Sequence, residues 1–361
     1  VVGIIDATNL TRERRANLLK LCRENLIEPI FLESWCDDQD LILYNIADVK
    51  TTSPDYADVD PKTATKDFLL RILHYEKNYE TMNAEDDSDL TFIKLINVGS
   101  QIIINRIESY LESRIVYYVM NLHIKTRSIW LLRHGESEYN LTGKIGGDSN
   151  LSERGWRYAK KLPEIVLKSL GEENKHTNLT VWTSTLKRTQ QTASFLPYEK
   201  KLEWKALDEL DAGECDGMTY EEIEEQFPED FKARDDNKYE YRYRGGESYR
   251  DIVIRLEPII MELERQENIL IITHQAVLRC LYAYFMNVPQ EESPWMSIPL
   301  HTLIKLEPRA YLTLVSRIKA DIPAVSTYKE RGTSQLGELE LKASMSRDLI
   351  SDSANEKSKP K

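Results

Sequence analysis

The sequence predicts an α/β protein of two domains, and three observations predict it. Short apolar runs alternate with stretches of helical period, the pattern of strands joined by helices into a parallel sheet. At 361 residues the chain exceeds the usual size of one domain. The alternation also restarts after about residue 125, where a new apolar run begins at Ser128.

The elements follow in order. Strands are expected at 1–5, 29–32 and 92–95, from runs such as VVGII and FIKL. Helices are expected at 12–24 and 63–75, with another over 101–112. Pro54, Pro61 and the acidic run Glu85-Asp86-Asp87 mark loops. Beyond residue 128, strand 129–132 leads to helix 152–170, and strand 180–182 to helix 185–195. Helix 249–266 precedes strand 268–272, and a further helix starts at Gln275. Ser248 is the expected N-cap of helix 249–266, with Asp251 placing negative charge near its start. From about residue 319 Ser, Lys, Glu and Asp dominate, so 319–361 reads as a disordered tail. The chain opens on Val inside an apolar run, which reads as a truncated N-terminus.

Composition narrows the classes of function. A net charge of −12 and a pI of about 5.2 make a poor partner for nucleic acid or an anionic membrane. An anionic substrate would have to be met by cations gathered locally. Cys22, Cys36, Cys215 and Cys280 show no CxxC spacing and read as reduced thiols, which suits the cytoplasm. Neither an 18-residue apolar run nor a signal-peptide-like start occurs in the sequence.

Chemistry enters with two histidines. SIWLLRH and NILIITH are both apolar runs that end in histidine, His134 and His274. Ligands of open parallel sheets bind at the carboxyl ends of strands, so both rings are expected in one place. The helix from Gln275 would aim its first amides there, favouring an anion. Arg133 precedes the first histidine, and Arg188 lies one turn into the helix after 180–182. Two imidazoles and two guanidinium groups would cage a dianionic phosphoryl group, whose oxygens an arginine fork binds bidentately. A single histidine is more often structural, and His74, His123, His176 and His301 are read that way. Without HExxH or a Cys/His ligand cluster, a metal-free site is expected.

RHGES, TSTLKRTQQTA and ITHQ resemble the motifs of the histidine phosphatase superfamily, which includes phosphoglycerate mutase. GKIGGDSNLSERG, LDELDAGECDGMTYEEI, RYRGGESYRD and IITHQAVLRCL narrow the likeness to the fructose-2,6-bisphosphatase family. That family forms the C-terminal half of bifunctional 6-phosphofructo-2-kinase/fructose-2,6-bisphosphatases. Upstream, IIDATNLTRERR, FLESWCDD, NIADVK, SPDY and RILHYEKNY resemble the kinase half. The likeness spans about residues 1 to 318. It implies a phosphoglycerate mutase-like three-layer α/β/α phosphatase domain over 126–318, preceded over 1–125 by part of a P-loop-kinase-like α/β domain. No GxxxxGK[ST] loop occurs, so kinase activity is not expected of this chain. ATP and Mg are expected only where an intact kinase half exists.

The resemblance also implies roles. The reaction would be hydrolysis of the 2-phosphate of fructose 2,6-bisphosphate through a phosphohistidine, with no cofactor, in the control of glycolysis and gluconeogenesis. His134 would be the nucleophile, Glu209 the acid and His274 the third catalytic group. Arg133, Asn140, Gly146 and Arg188 would hold the phosphoryl group. Tyr220, Arg234, Lys238, Tyr249, Gln275 and Arg279 would hold the sugar and its 6-phosphate. Asp208 and Asp211 are expected to keep Glu209 protonated by like-charge repulsion. Asp6, Thr8, Arg14, Asn45, Lys50, Arg71 and Tyr75 match kinase-site positions. A small-molecule substrate, no nucleic acid, no membrane and an open question of homodimerisation complete the expectation. The alternatives are a bifunctional enzyme in the full-length protein, a phosphoglycerate mutase-like or broad-specificity phosphatase, and a non-catalytic protein with a sugar-phosphate site.

Overall fold

A computed structural model describes residues 2–52, 59–97, 99–122, 127–171, 179–309 and 312–327. Val1, Pro54, His123, His176, the Lys50 side chain and residues 328–361 lie outside the described residues. Two compact units form: Val1–Trp130 with Glu257–Ile269 and Lys305–Ser316, and Leu131–Leu256 with Leu270–Ile304 and the chain from Arg317.

The chain begins with α1 (Arg12–Glu24), β1 (Phe31–Trp35), α2 (Gln39–Thr52) and α3 (Pro61–Glu76). Next come β2 (Phe92–Ile96), β3 (Gln101–Asn105) and α4 (Tyr110–Asn121). The three strands form a sheet in the order β1-β2-β3, with β1 parallel and β3 antiparallel to β2. Side chains alternate across a strand. Phe92 therefore packs with Leu19, Met82 and Leu90, while Ile93 packs with Val116 and Val119 on α4.

Four expectations change here. Residues 2–5 form no strand, and Ile4 and Ile5 are 89% and 66% exposed. An apolar run becomes a strand only by pairing, and β1, the edge of its sheet, does not pair with them. Residues 101–112 are not one helix. The β-branched run Ile102-Ile103-Ile104 pairs with β2, and α4 starts later at a capping box between Ser109 and Glu112. Pro61 opens α3 instead of marking a loop, since its ring suits the first helical position, and Asp60 caps the Thr63 amide at 3.1 Å. The sheet is mixed, because β3 returns directly beside β2.

Downstream lie β4 (Ser128–Arg133), α5 (Glu138–Thr142), α6 (Glu153–Leu170), β5 (Thr180–Thr183), α7 (Lys187–Ala193) and β6 (Lys201–Glu203). They are followed by α8 (Tyr220–Gln226), α9 (Pro228–Asp236), α10 (Tyr249–Arg265), β7 (Asn268–Thr273), α11 (Gln275–Phe285), β8 (Thr302–Pro308) and β9 (Thr313–Lys319). A six-stranded sheet has the order β6-β5-β7-β4-β8-β9. Every residue of β4 and β5 is buried, and all but the first of β7. Burial of consecutive residues requires cover on both faces, which gives three layers, α/β/α. Ser248 caps α10 as expected, its hydroxyl accepting the Asp251 amide at 3.2 Å.

The expected tail begins too early. β9 runs to Lys319, the Ala320 amide donates to the His301 carbonyl at 2.9 Å, and the Val325 amide donates to Glu136. A polar composition alone does not show that a segment has partners elsewhere in the chain. All four cysteines are free thiols. Among the described residues no helix is long and apolar enough to cross a membrane.

Candidate active site

β7 and β4 are neighbours in the sheet, so the residues that follow them meet. The His134 amide donates to the Thr273 carbonyl at 3.0 Å, and the rings of His134 and His274 lie 5.2 Å apart, centroid to centroid. The loop after β4 is held close to α6. A Cβ on Gly155 would overlap the Glu136 carbonyl, and one on Gly135 would crowd the Gly155 carbonyl. Glu136 is wholly buried and accepts from Ser152 Oγ (2.8 Å), Arg154 Nε and Nη2 (2.8 and 2.7 Å) and the Val325 amide (2.9 Å). Burial works against its charge, but Arg154, Val325 and Ser152 hold its carboxyl below the ordinary value.

His134 has its Nδ1 2.7 Å from the Gly135 carbonyl, so Nδ1 carries the proton and Nε2 the lone pair. Burial, then Arg188 and Arg133, push its pKa well below 6.5. The same causes act on His274, with His134 itself among them. Both rings are therefore neutral at neutral pH. Arg133 is pushed down to about 9 by burial and by Arg279 and Arg188, partly offset by Glu209, and stays charged. Its Nη1 donates to the Ile298 carbonyl (3.0 Å) and Thr327 Oγ1 (2.7 Å), while its buried Nε has no partner. Arg188 donates to the Gly147 carbonyl at 2.6 Å. Positive φ at Gly146 and Gly147, 68° and 59°, forms that turn, and Asp216 accepts the Gly147 amide at 2.7 Å.

One cavity of about 370 Å³ takes in Arg133, His134, Asn140, Gly146, Arg188 and Glu209, and also Tyr220, Arg234, Lys238, Tyr249, Gln275 and Arg279. Distant segments of the chain thus converge. His274 lies behind this lining, wholly buried. Asn140 Oδ1 is taken up by the Ser137 amide and hydroxyl, which leaves the NH₂ end for an acceptor. Glu209 caps α11: Oε1 accepts from the amides of Leu210 (2.9 Å) and Ala276 (3.2 Å), and Oε2 from Gln275 (3.2 Å).

Further lining residues pair arginine with tyrosine. Arg234 donates to the hydroxyls of Tyr243 (2.9 Å) and Tyr220 (3.1 Å) and sits 4.7 Å above the Tyr220 ring. Arg279 donates to Tyr249 Oη (3.0 Å) and to the Met296 carbonyl (2.8 Å). Lys238 lies 4.6 Å over the Trp295 ring and bonds the Pro294 carbonyl.

Asp208 accepts from the Thr185 amide and hydroxyl, and Asp211 from the Gly213 amide. His301 is structural, as read from the sequence. It accepts the Glu136 amide at 3.0 Å and stacks on Tyr158. His74 ends up on α3. The kinase-position residues precede α1 or fall on α1, α2 and α3. Asp6 and Thr8 precede α1, Arg14 is on α1 bonded to Asn9, Asn45 is on α2, and Arg71 and Tyr75 are on α3.

Sequence reasoning missed Tyr139, Tyr241, Tyr243, Ser326 and Thr327, which also line the cavity. Tyr243 sits within the quoted RYRGGESYRD, where its pairing with Arg234 had no local signal. Thr327 lay in the segment dismissed as tail, and its hydroxyl joins Arg133 to Gln275. Among the described residues no three His, Cys, Asp or Glu side chains cluster as a metal site.

Comparison with known proteins gives two matches along the chain. Residues 1–126 match the 6-phosphofructo-2-kinase family, and residues 129–320 match the histidine phosphatase superfamily (branch 1). The chain is 67% identical over 352 residues to fructose-2,6-bisphosphatase of Saccharomyces cerevisiae (strain ATCC 204508 / S288c), covering 98% of this chain and 77% of that protein. It is 52% identical over 332 residues to the 6-phosphofructo-2-kinase/fructose-2,6-bisphosphatase of Aquarana catesbeiana, covering 91% of this chain and 69% of that protein.

Proposed function

This chain belongs to the histidine phosphatase superfamily and, within it, to the fructose-2,6-bisphosphatase family, and from that premise we propose that it hydrolyses the 2-phosphate of fructose 2,6-bisphosphate. The observation that carries the choice of substrate is the second cation cluster, Arg234, Lys238 and Arg279, in the same cavity as Arg133, His134 and Arg188. A monophosphate needs one cradle; a bisphosphate needs two. Binding the remote phosphate holds the reacting one in line for attack.

His134 Nε2 attacks phosphorus, the P–O bond to the sugar breaks, and a phosphohistidine forms. Arg133 and Arg188 hold the charge that gathers on the equatorial oxygens, with the NH₂ of Asn140 as a further donor. Glu209 gives its proton to the departing sugar oxygen. Two amides serve Oε1 and only one, at 3.2 Å, serves Oε2, so Oε2 is the oxygen suited to carry that proton. In the second step Glu209 takes a proton from water, and the hydroxide so formed releases phosphate from His134. Guanidinium groups do the work a metal would do here, so no cofactor enters these steps. ATP and Mg belong to a kinase reaction wherever a complete kinase half exists.

The deciding experiment compares phosphate release from fructose 2,6-bisphosphate and from an aryl monophosphate. A kcat/KM higher by orders of magnitude on the sugar bisphosphate is expected. Equal values on both would make this a general phosphatase. Acid-labile phosphoprotein on quenching with labelled substrate is expected too, and its absence would favour a non-catalytic sugar-phosphate binder.

A further inference from the structure

Ser184 and Thr189 stand outside the mechanism above, yet both are wholly buried behind the catalytic ring of His274. Ser184 follows β5 directly, and Thr189 lies in the first turn of α7. Ser184 Oγ is 2.7 Å from His274 Nε2 and 2.9 Å from Thr189 Oγ1, and it accepts the Leu186 amide at 3.2 Å.

A hydroxyl has one proton and two lone pairs. With one lone pair given to Leu186, Ser184 must donate to one of its other neighbours and accept from the other. Two arrangements satisfy this. In the first, Thr189 donates to Ser184 and Ser184 donates to Nε2, so neutral His274 carries its proton on Nδ1. In the second, Thr189 donates to the carbonyl of Leu186 (2.8 Å) or Ser184 (3.1 Å). Ser184 then donates to Thr189, Nε2–H donates to Ser184, and Nδ1 holds a lone pair. His274 Nδ1 is buried without a partner, on a ring 5.2 Å from that of His134. A lone pair there would repel a phosphoryl oxygen, whereas an N–H would bind it.

We infer that Ser184 and Thr189 are positioning residues whose hydroxyl chain selects the Nδ1–H tautomer of His274 when a phosphoryl group is bound. The inference rests on the phosphatase reading above and deepens it. Burial and the surrounding cations keep His274 neutral, so placement of its proton, and not its charge, makes it a donor. The chain sets that placement without turning the ring.

The test uses the full chain with ¹⁵N-labelled histidine and inorganic phosphate as the probe. In the unaltered protein, phosphate is expected to bring His274 Nδ1 to a protonated-nitrogen shift and Nε2 to an acceptor shift. Ser184→Ala should abolish that response and lower kcat on the order of 10- to 100-fold, with KM changed less. Thr189→Val removes the acceptor that the second arrangement needs and leaves Nε2 to take the Ser184 proton, so its His274 should show Nδ1–H without phosphate, and Thr189→Ser should bring back the phosphate dependence, which a purely packing role for the Thr methyl would not do. Should Ser184→Ala fail to fold, the phosphate response of the unaltered protein and the Thr189 pair decide the matter. A tautomer in the unaltered protein that ignores phosphate, a Thr189→Val protein without Nδ1–H, or a kcat within about twofold in Ser184→Ala overturns the inference. A protein that shows the tautomer response but no turnover of fructose 2,6-bisphosphate overturns the substrate assignment instead.

Discussion

His134 and Arg279 show how one side chain's neighbours decide its task. The proposed nucleophile role of His134 rests on the Gly135 carbonyl holding its Nδ1 proton and on burial and two guanidinium groups keeping the ring neutral. Replacing it should remove the chemistry and little else. His134→Ala is expected to lower kcat by several orders of magnitude while circular dichroism stays that of the parent; near-normal turnover would end the nucleophile assignment. Arg279 donates to Tyr249 and to the Met296 carbonyl. Arg279→Ala should raise KM on the order of tenfold or more and lower kcat less, because what it removes is binding of the remote phosphate. The reverse pattern in steady-state kinetics would move Arg279 to the reacting end. The motif residues themselves were legible in the sequence at this scale. Their tautomers and partners were not, because a hydrogen bond such as Arg133 to Thr327 joins positions far apart in the chain.

Among the elements, the decisive contact is between α6 and the loop after β4. Gly155 lets the helix backbone come against the Glu136 carbonyl, and Ser152 and Arg154 at the helix start grip the Glu136 carboxylate. The arrangement ties the first turn of α6 to the loop that carries His134. Gly155→Ala must push these backbones apart. A loss of about 1–3 kcal/mol in a denaturant titration is expected, with a fall in kcat because His134 shifts. Unchanged stability and activity would show that the contact can relax. Helices α1, α6 and α10 and strands β4, β5 and β7 were readable from periodicity and capping residues. The N-terminal strand, the helix over 101–112 and the start of the tail, residues 319–327, were misread. In each case pairing with a distant segment, or the lack of it, overrode the local pattern: β3 with β2, Val325 with Glu136, and residues 2–5 with no strand among the described residues.

For the whole molecule, the site is a stability load that its ligand relieves. His134 and His274 are buried with pKa values well below 6.5. Below pH 6.5 the unfolded chain takes up protons on these rings that the folded chain does not. Their contribution is therefore complete above pH 6.5 and is lost as the pH falls towards their depressed folded values, by up to ~1.4 kcal/mol per pH unit for each ring. Melting temperature should fall from pH 6.5 to 5, and His274→Gln should flatten that fall. A flat profile in the parent would mean that the rings are charged in the folded state. The buried arginines make the complementary case: on the proposed function, phosphate would bind the folded site and not the unfolded chain. At 100 times its Kd it should add about 2.7 kcal/mol. A chain of net charge −12 can hold an anion only by such local concentration of cations.

By itself the sequence determined the family, the α/β character, and the residues on which the proposed reaction rests: two histidines, two arginines and a further set of cations. Those are properties of residue type and short spacing, and neither changes on folding. Only the tertiary structure decided that β4 and β7 lie side by side, that Glu209 caps α11, that residues 325–327 return to the site, and that Ser184 stands behind His274. Each of these is a contact between segments remote in the chain, settled by strand order and packing, and no local run of residues encodes it.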